Sequence, residues 1–312
     1  MKNKVVLVTG GTGSLGQALV PFLVQKQVSK IIIYSRNEYA QVQMERVFPR
    51  KTHKIRYLLG DIRDKDRLNR ALNNVDIVIH LAALKHVDKC ETDPFEAIET
   101  NVIGAQNLIN AAIDNNVKKV FAISTDKACG TISSLYGATK LCADRLFIAA
   151  NVYAPQKTKF SVIRFGNFWG SSGSVVPLYK KLAEEKSPTI PLTDIGMTRF
   201  FITLEEASER IIQAIEYMNG GEIFVPKMRA KRIIDVAREI HPTAQIELIG
   251  KKDGEKLYEE LVTSVDSHMT VEWPEWYVIG KNVDGDKVPD GFTYTSMEAF
   301  KQLKSFSTEW RN

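Results

Sequence analysis

Tyr136 and Lys140 stand four residues apart, the spacing that puts two side chains on one face of a helix. On that face an ammonium beneath the ring is expected to lower the phenol pKa by proximity of charge. A phenolate can take the proton of a substrate hydroxyl while the carbon that bears it gives hydride to a nicotinamide. Just upstream, Ser124-Thr125-Asp126-Lys127 adds a carboxylate and a second amine, two ionisable groups that simple alcohol oxidation does not need. Taken alone, Tyr-x-x-x-Lys also fits a packed tyrosine one turn from a solvated lysine, and Asp126-Lys127 also fits a helix cap with a surface lysine.

Such a pair needs a cofactor held nearby, and the chain supplies a cradle at its start. Val5-Val6-Leu7-Val8 reads as a buried strand running into Thr9-Gly10-Gly11-Thr12-Gly13-Ser14-Leu15-Gly16, after which Leu15, Leu19, Val20 and Leu23 follow a helical period. Glycines at 10, 13 and 16 let the main chain bend sharply and approach a pyrophosphate, whose charge meets free N–H groups at the helix N-terminus. Thr9, Gly10, Gly13, Ser14, Leu15 and Gly16 are therefore cofactor candidates. The second strand, Ile31-Ile32-Ile33-Tyr34, ends in Ser35-Arg36, where an acidic residue would hold a free ribose 2′-hydroxyl. The planar fork of Arg36 suits a 2′-phosphate, so NADP is expected rather than NAD. The other reading makes Glu38 the ribose ligand and NAD the cofactor. After the third strand, Ile55-Arg56-Tyr57-Leu58-Leu59, Asp61 and Ile62 suit the adenine edge, although an Asp there also serves as a helix cap.

Further strands are read near residues 76 to 81, 117 to 123 and 159 to 164, with helices between them. That alternation predicts an α/β fold, a doubly wound parallel sheet built by right-handed crossovers. Residues 1–170 are expected to form the dinucleotide-binding domain, with return segments near 197–225. Residues 171–196 and 226–312 are expected to form a smaller substrate lobe and C-terminal extension. The Trp-, Gly-, Asp- and Pro-rich stretch 271–292 reads as extended surface chain.

With 312 residues, 44% of them apolar, the chain can bury a sizeable core. Its net charge of +5 suits an anionic nucleotide substrate, and with no dense basic run nucleic acid is not an expected partner. No stretch approaches the roughly 20 apolar residues of a membrane span, and the first apolar run meets glycine too early for a signal peptide, so a cytoplasmic protein is expected. Cys90, Cys129 and Cys142 have no paired spacing and the five histidines are scattered, so neither disulfides nor a metal site are expected.

The strings that carry this chemistry resemble those of extended short-chain dehydrogenase/reductases. More narrowly they resemble the UDP-N-acetylglucosamine 4,6-dehydratases that invert carbon 5, the first enzymes of pseudaminic acid biosynthesis. Besides the glycine turn, the likeness rests on Tyr34-Ser35-Arg36, Gly60-Asp61, Ala82-Ala83-Leu84-Lys85-His86-Val87, Thr100-Asn101, Ser124-Thr125-Asp126-Lys127-Ala128, Tyr136-Gly137-Ala138-Thr139-Lys140, Arg164-Phe165-Gly166-Asn167, Thr193-Asp194-Ile195-Gly196-Met197-Thr198-Arg199-Phe200 and Gly254-Glu255-Lys256-Leu257. The resemblance implies that Ser35, Ala82, Ala83, Lys85, Asn101, Tyr136 and Lys140 also touch the cofactor. It implies that Lys85, Asn167, Val175, Arg199 and Glu255 hold a UDP-sugar. Catalysis would fall to Thr125, Asp126, Lys127, Tyr136 and Lys140, with Asp126 protonating the departing 6-hydroxyl and Lys127, kept partly neutral by burial and nearby positive charge, removing the carbon 5 proton. A homo-oligomer, dimer or larger, and a role in bacterial surface glycan and nonulosonic acid synthesis are implied too.

The chain also departs from that pattern. The loop Cys129-Gly130-Thr131-Ile132-Ser133-Ser134-Leu135 is one residue longer than the family's and lacks its proline, while Ser172 and Lys252 stand where the family has arginine. Those losses weaken the expected grip on nucleotide phosphates. A UDP-sugar 4-epimerase would use the same cofactor with Tyr136 and Lys140 but has no use for an Asp-Lys pair. A non-catalytic NADP-binding sensor would need only the glycine turn.

Overall fold

The computed structural model describes residues 1–154, 157–171, 173–251 and 254–303; Ser172 and Lys252 lie outside the described residues. The β-branched run Val5–Thr9 forms strand β1, and the expected runs after it form β2 (Lys30–Ser35), β3 (Ile55–Leu59), β4 (Ile77–His80), β5 (Lys119–Thr125) and β6 (Lys159–Phe165). These six pair in parallel in the order β3-β2-β1-β4-β5-β6. Chain order reverses at β1, which lies between β2 and β4, so the crevice over its carboxyl end is where a doubly wound sheet takes its ligand.

Two close approaches shape that crevice. Gly10 leaves β1 with φ +64°, and a Cβ there would fall 2.8 Å from the Ala82 backbone. Gly16 lies in helix α1 (Ser14–Gln25), where a Cβ would fall 2.3 Å from the Gly11 carbonyl oxygen, so only a bare α-carbon lets the helix start this close to the turn. The buried stripe Leu15, Leu19, Leu23 then seats α1 on the sheet, each side chain contributing roughly 1.5 to 3 kcal/mol by its burial.

Beyond β6 the sheet continues with Ile223–Pro226, parallel to β6, and then with Trp276–Ile279, Thr270–Trp273 and Asp286–Lys287, all antiparallel, for ten strands in all. This corrects the reading of 271–292 as surface chain. Val271, Trp276, Tyr277, Val278 and Ile279 are buried, and Trp276 packs edge-on against Phe224 at 5.8 Å between ring centroids. Pro274 and Glu275, which had suggested irregular chain, only make the hairpin turn. The second half, from Lys281 to Lys287, is mostly exposed.

A second, smaller core gathers Val176, Tyr179, Ile190, Leu192, Met197, Phe201, Ile234 and Val236. It joins the helix Val175–Glu184 to the helix Ile233–Ile240 and to the two-stranded sheet of Thr189–Leu192 and Gln245–Leu248. Chain after residue 226 is thus shared between this lobe and the central sheet. Among the described residues no helix is long and apolar enough to cross a membrane.

Candidate active site

Strand β5 ends at Thr125 and passes into a single 3-10 turn, Asp126–Ala128, which sets two ionisable side chains at the carboxyl end of the sheet. The Thr125 hydroxyl donates to Asp126 Oδ1 at 3.0 Å, and the Lys127 ammonium donates to the same oxygen at 3.0 Å. Lys127 Nζ also reaches Asn167 Oδ1 at 3.5 Å. Asp126 is fully buried behind Lys127, and its Oδ2 has no hydrogen-bond partner among the described residues. Tyr136 arrives from the first turn of the helix Leu135–Ala150, capped by Ser134 Oγ, which accepts from Gly137 N; the Tyr136 phenol lies near the Thr125 side chain.

Two expected charge states are corrected here. The Tyr136 phenol is pushed above its ordinary value, first by burial and then by the Asp126 carboxylate, with the Thr125 contact opposing. Lys140 does not offset this, because its Nζ donates to the Ile123 carbonyl at 2.7 Å and burial pushes its own pKa down. Lys127 is the reverse of the partly neutral base expected. Burial works against its charge, but the Asp126 and Glu259 carboxylates outweigh both burial and Arg199 and hold it above the usual lysine range.

Lys127, Tyr136 and Lys140 face a cavity of about 660 Å³, with Asp126 behind Lys127 rather than on its wall, which includes Gly13, Ser14, Leu15 and Gly16 on one side and Asn167, Val175, Arg199 and Glu255 on the other. Lys85, Thr125, Lys127, Tyr136 and Lys140 line it between them. A second cavity of about 200 Å³ is lined by Ser35, Arg36, Asp61 and Ile62, and the two share Gly10, Ala82 and Ala83. Arg36 Nη1 lies 3.7 Å from Asp61 Oδ2, and Arg63 grips the same carboxylate at 2.8 Å. Burial would raise the Asp61 pKa, but Arg63 and then Arg36 hold it below the usual carboxylate value. Glu38, the alternative ribose ligand, is exposed and lines neither cavity.

Two expected cofactor residues sit behind the wall rather than on it. Thr9 is fully buried, its hydroxyl 2.8 Å from His80 Nδ1. Asn101 uses its whole amide internally: Oδ1 accepts from Leu84 N, and Nδ2 donates to the Leu84 carbonyl and to Thr139 Oγ1. Arg199, expected to hold substrate, spends its guanidinium on the carbonyls of Thr198, Lys256 and Leu257, so it anchors the strip that carries Glu255.

Sequence reading missed the supports beneath. Arg164, 2% exposed, bridges Asp144 at 3.6 Å and Asp266 at 3.1 Å, while Asp144 accepts from Ser124 Oγ at 2.8 Å. Glu259, 3% exposed, pairs with Arg199 and Lys256 inside the main cavity. An acidic doublet such as Glu259-Glu260 reads as solvated surface, and the only signal was its position just after Glu255-Lys256.

Residues 6–281 match the model of a family described as polysaccharide biosynthesis protein. Over 312 aligned residues the chain is 46% identical to a UDP-N-acetylglucosamine 4,6-dehydratase (inverting) of Campylobacter jejuni subsp. jejuni serotype O:23/36 (strain 81-176), covering 94% of this chain and 92% of that protein. A UDP-glucose 4-epimerase of Rickettsia bellii (strain OSU 85-389) is 38% identical, covering 89% of this chain and 83% of that one. Among solved structures, Pen from Bacillus thuringiensis superposes with a TM-score of 0.88 at 38% identity, covering 98% of this chain and 97% of its own. Matched along most of its length, the chain belongs to the polysaccharide biosynthesis protein family, with a short-chain dehydrogenase/reductase type of α/β fold.

Proposed function

We propose that this chain catalyses the 4,6-dehydration of UDP-N-acetylglucosamine to a UDP-4-keto-6-deoxy sugar, with inversion at carbon 5 and with NADP as its cofactor. The observation that carries the reading is Lys127 beside Tyr136 on the wall of one cavity with Asp126 in contact directly behind it, a third and fourth proton-transfer group next to an oxidation pair. The 46% identity to an inverting dehydratase supports it.

The residues present fit a dinucleotide. The glycine turn and the start of α1 suit the pyrophosphate, Ala82 and Ala83 leave room between the two cavities, and Arg36 at the rim of the smaller one suits a 2′-phosphate. When bound, the dinucleotide supplies hydride acceptance from carbon 4 and its return to carbon 6. Tyr136, with Thr125 beside it, takes the proton of the 4-hydroxyl. A proton then passes from Lys127 Nζ to Asp126 across their 3.0 Å contact, which leaves a neutral amine and a carboxylic acid. The amine takes the carbon 5 proton, made acidic by the new 4-keto group; the carboxylic acid protonates the 6-hydroxyl, which leaves as water. Lys127 keeps the proton it has taken and so regains its charge, while a solvent-derived proton reaches carbon 5 from the opposite face, which inverts the centre.

Incubation of the purified chain with UDP-N-acetylglucosamine, followed by NMR of the products, tests the reading. A 4-keto-6-deoxy sugar is expected. UDP-N-acetylgalactosamine would instead show a 4-epimerase, and no turnover with retained NADP binding would show a sensor.

A further inference from the structure

Glu259 has no part in the steps above, yet it is a buried carboxylate on the cavity wall. Its Oε1 lies 3.7 Å from Arg199 Nε and its Oε2 lies 3.4 Å from Lys256 Nζ, but among the described residues Oε2 makes no hydrogen bond. Asp126 Oδ2 is in the same condition. Two buried carboxylates this close to one lysine make its charge depend on both.

The charges that face Glu259 come from every segment around it. They are Asp126 and Lys127 from the end of β5, Arg199 from the strand Thr198–Ile202, and Lys256 from its own segment. Those that face Lys127 are Asp126, Glu259 and Arg199. Burial and the repulsion of Asp126 push the Glu259 pKa up, against the pull of Lys127, Arg199 and Lys256. Glu259 and Lys127, each a cause of the other's shift, are therefore coupled. Lys256 extends this group of charges to the departing loop, since its Nζ donates to the Cys129 carbonyl at 2.8 Å.

We propose that Glu259 is a positioning residue for the Asp126–Lys127 pair: its charge holds the shared proton on the pair, and its ion pairs fix Arg199 and Lys256 beside it. The inference rests on the dehydratase reading. That reaction needs one proton in the pair, to be given to the 6-hydroxyl. Fewer leave no acid, and more leave no base. A nearby negative charge makes the pair keep protons to higher pH, so it sets both edges of the working range.

The test is the pH dependence of dehydration in Glu259→Gln. Removing the charge weakens proton binding, so both limbs of the profile should move to lower pH, by about one unit for the loss of one close charge. Glu259→Asp, which keeps the charge, should return both limbs toward the wild-type position. A Gln variant that is slower by the same factor at every pH, with limbs unmoved, would overturn the proposal. In the wild-type chain, carbon-13 labelled glutamate and lysine give a readout that needs neither turnover nor a variant. The Lys127 resonance should move as the Glu259 carboxyl titrates, and independent titrations would overturn the proposal even if Glu259→Gln does not fold. Absence of any 4-keto-6-deoxy product from the wild-type protein would instead refute the dehydratase reading, leaving the coupling to be judged by NMR.

Discussion

Lys127 Nζ lies 3.0 Å from Asp126 Oδ1, and the same oxygen accepts from the Thr125 hydroxyl at 3.0 Å, so one carboxylate oxygen serves two donors while its partner Oδ2 has none among the described residues. The lysine is thus placed to hand its proton to Asp126 and is held charged until it does. Lys127→Ala should cut dehydration about a hundredfold to ten-thousandfold, the usual worth of a positioned general base, while oxidation at carbon 4 continues. Single-turnover spectra should then show reduced nicotinamide accumulating. In wild-type protein, turnover in heavy water should place deuterium at carbon 5, and product without it would remove Lys127 from this role.

Tyr136→Phe keeps the ring and deletes the oxygen near Thr125. Oxidation at carbon 4 should fall by about a hundredfold or more, with nucleotide-sugar affinity nearly unchanged. Because burial and Asp126 raise the phenol, the wild-type first step should still be quickening with pH above neutrality, as more phenolate forms. Rapid-mixing absorbance across a pH series measures both, and a first step independent of pH would point to another base.

Arg36 faces the smaller cavity 3.7 Å from Asp61, half-exposed and free to turn toward a phosphate. Arg36→Ala should cost on the order of 1.5 to 3 kcal/mol in NADP affinity, the worth of a charged hydrogen bond, and leave NAD affinity almost unaltered. Calorimetric titration of both dinucleotides decides it. Equal affinity in the unaltered protein would refute the NADP preference.

His80 is buried against Thr9, and burial, then the Lys140 charge, push its pKa down to about 3. The unfolded chain binds this proton near the ordinary value of about 6.5, so the neutral ring favours the native state fully above that pH. The contribution, on the order of 4 kcal/mol, is lost as pH falls from about 6.5 toward 3. Urea midpoints of the wild type and of His80→Gln should converge or cross as pH is lowered through this window. Parallel curves would show that His80 does not set the acid sensitivity.

The six parallel strands were legible because each is a short apolar run ended by turn residues, and burial on both faces leaves little else for such runs to become. Residues that line the cavities from the glycine turn, from the end of β5 and from the start of the Tyr136 helix were legible for the same reason, since spacing alone sets them at one edge. What escaped depends on long-range burial. The reversed charge balance at Lys127 comes from Asp126 beside it and then from Glu259, far along the chain, and the failure of Lys140 to lower the Tyr136 phenol comes from a carbonyl of β5 that captures it. Asn101 and Thr9 belong to the motifs yet face inward, which a motif cannot express. Trp276 was misread because the Gly, Asp and Pro content of 271–292 as a whole was taken to describe its apolar first half as well.

Along its whole length Ile223–Pro226 is paired by Trp276–Ile279, a strand that leaves the ribosome some fifty residues later. Until then Ile223, Phe224 and Val225 form an apolar ribbon with bare amides and carbonyls on one side. The nascent protein therefore passes through a stage in which its dinucleotide half is ready to fold while its sheet can still recruit a neighbour's strand. That open edge closes only when the last hairpin pairs with it, so the strand Trp276–Ile279 also shields the sheet from other chains.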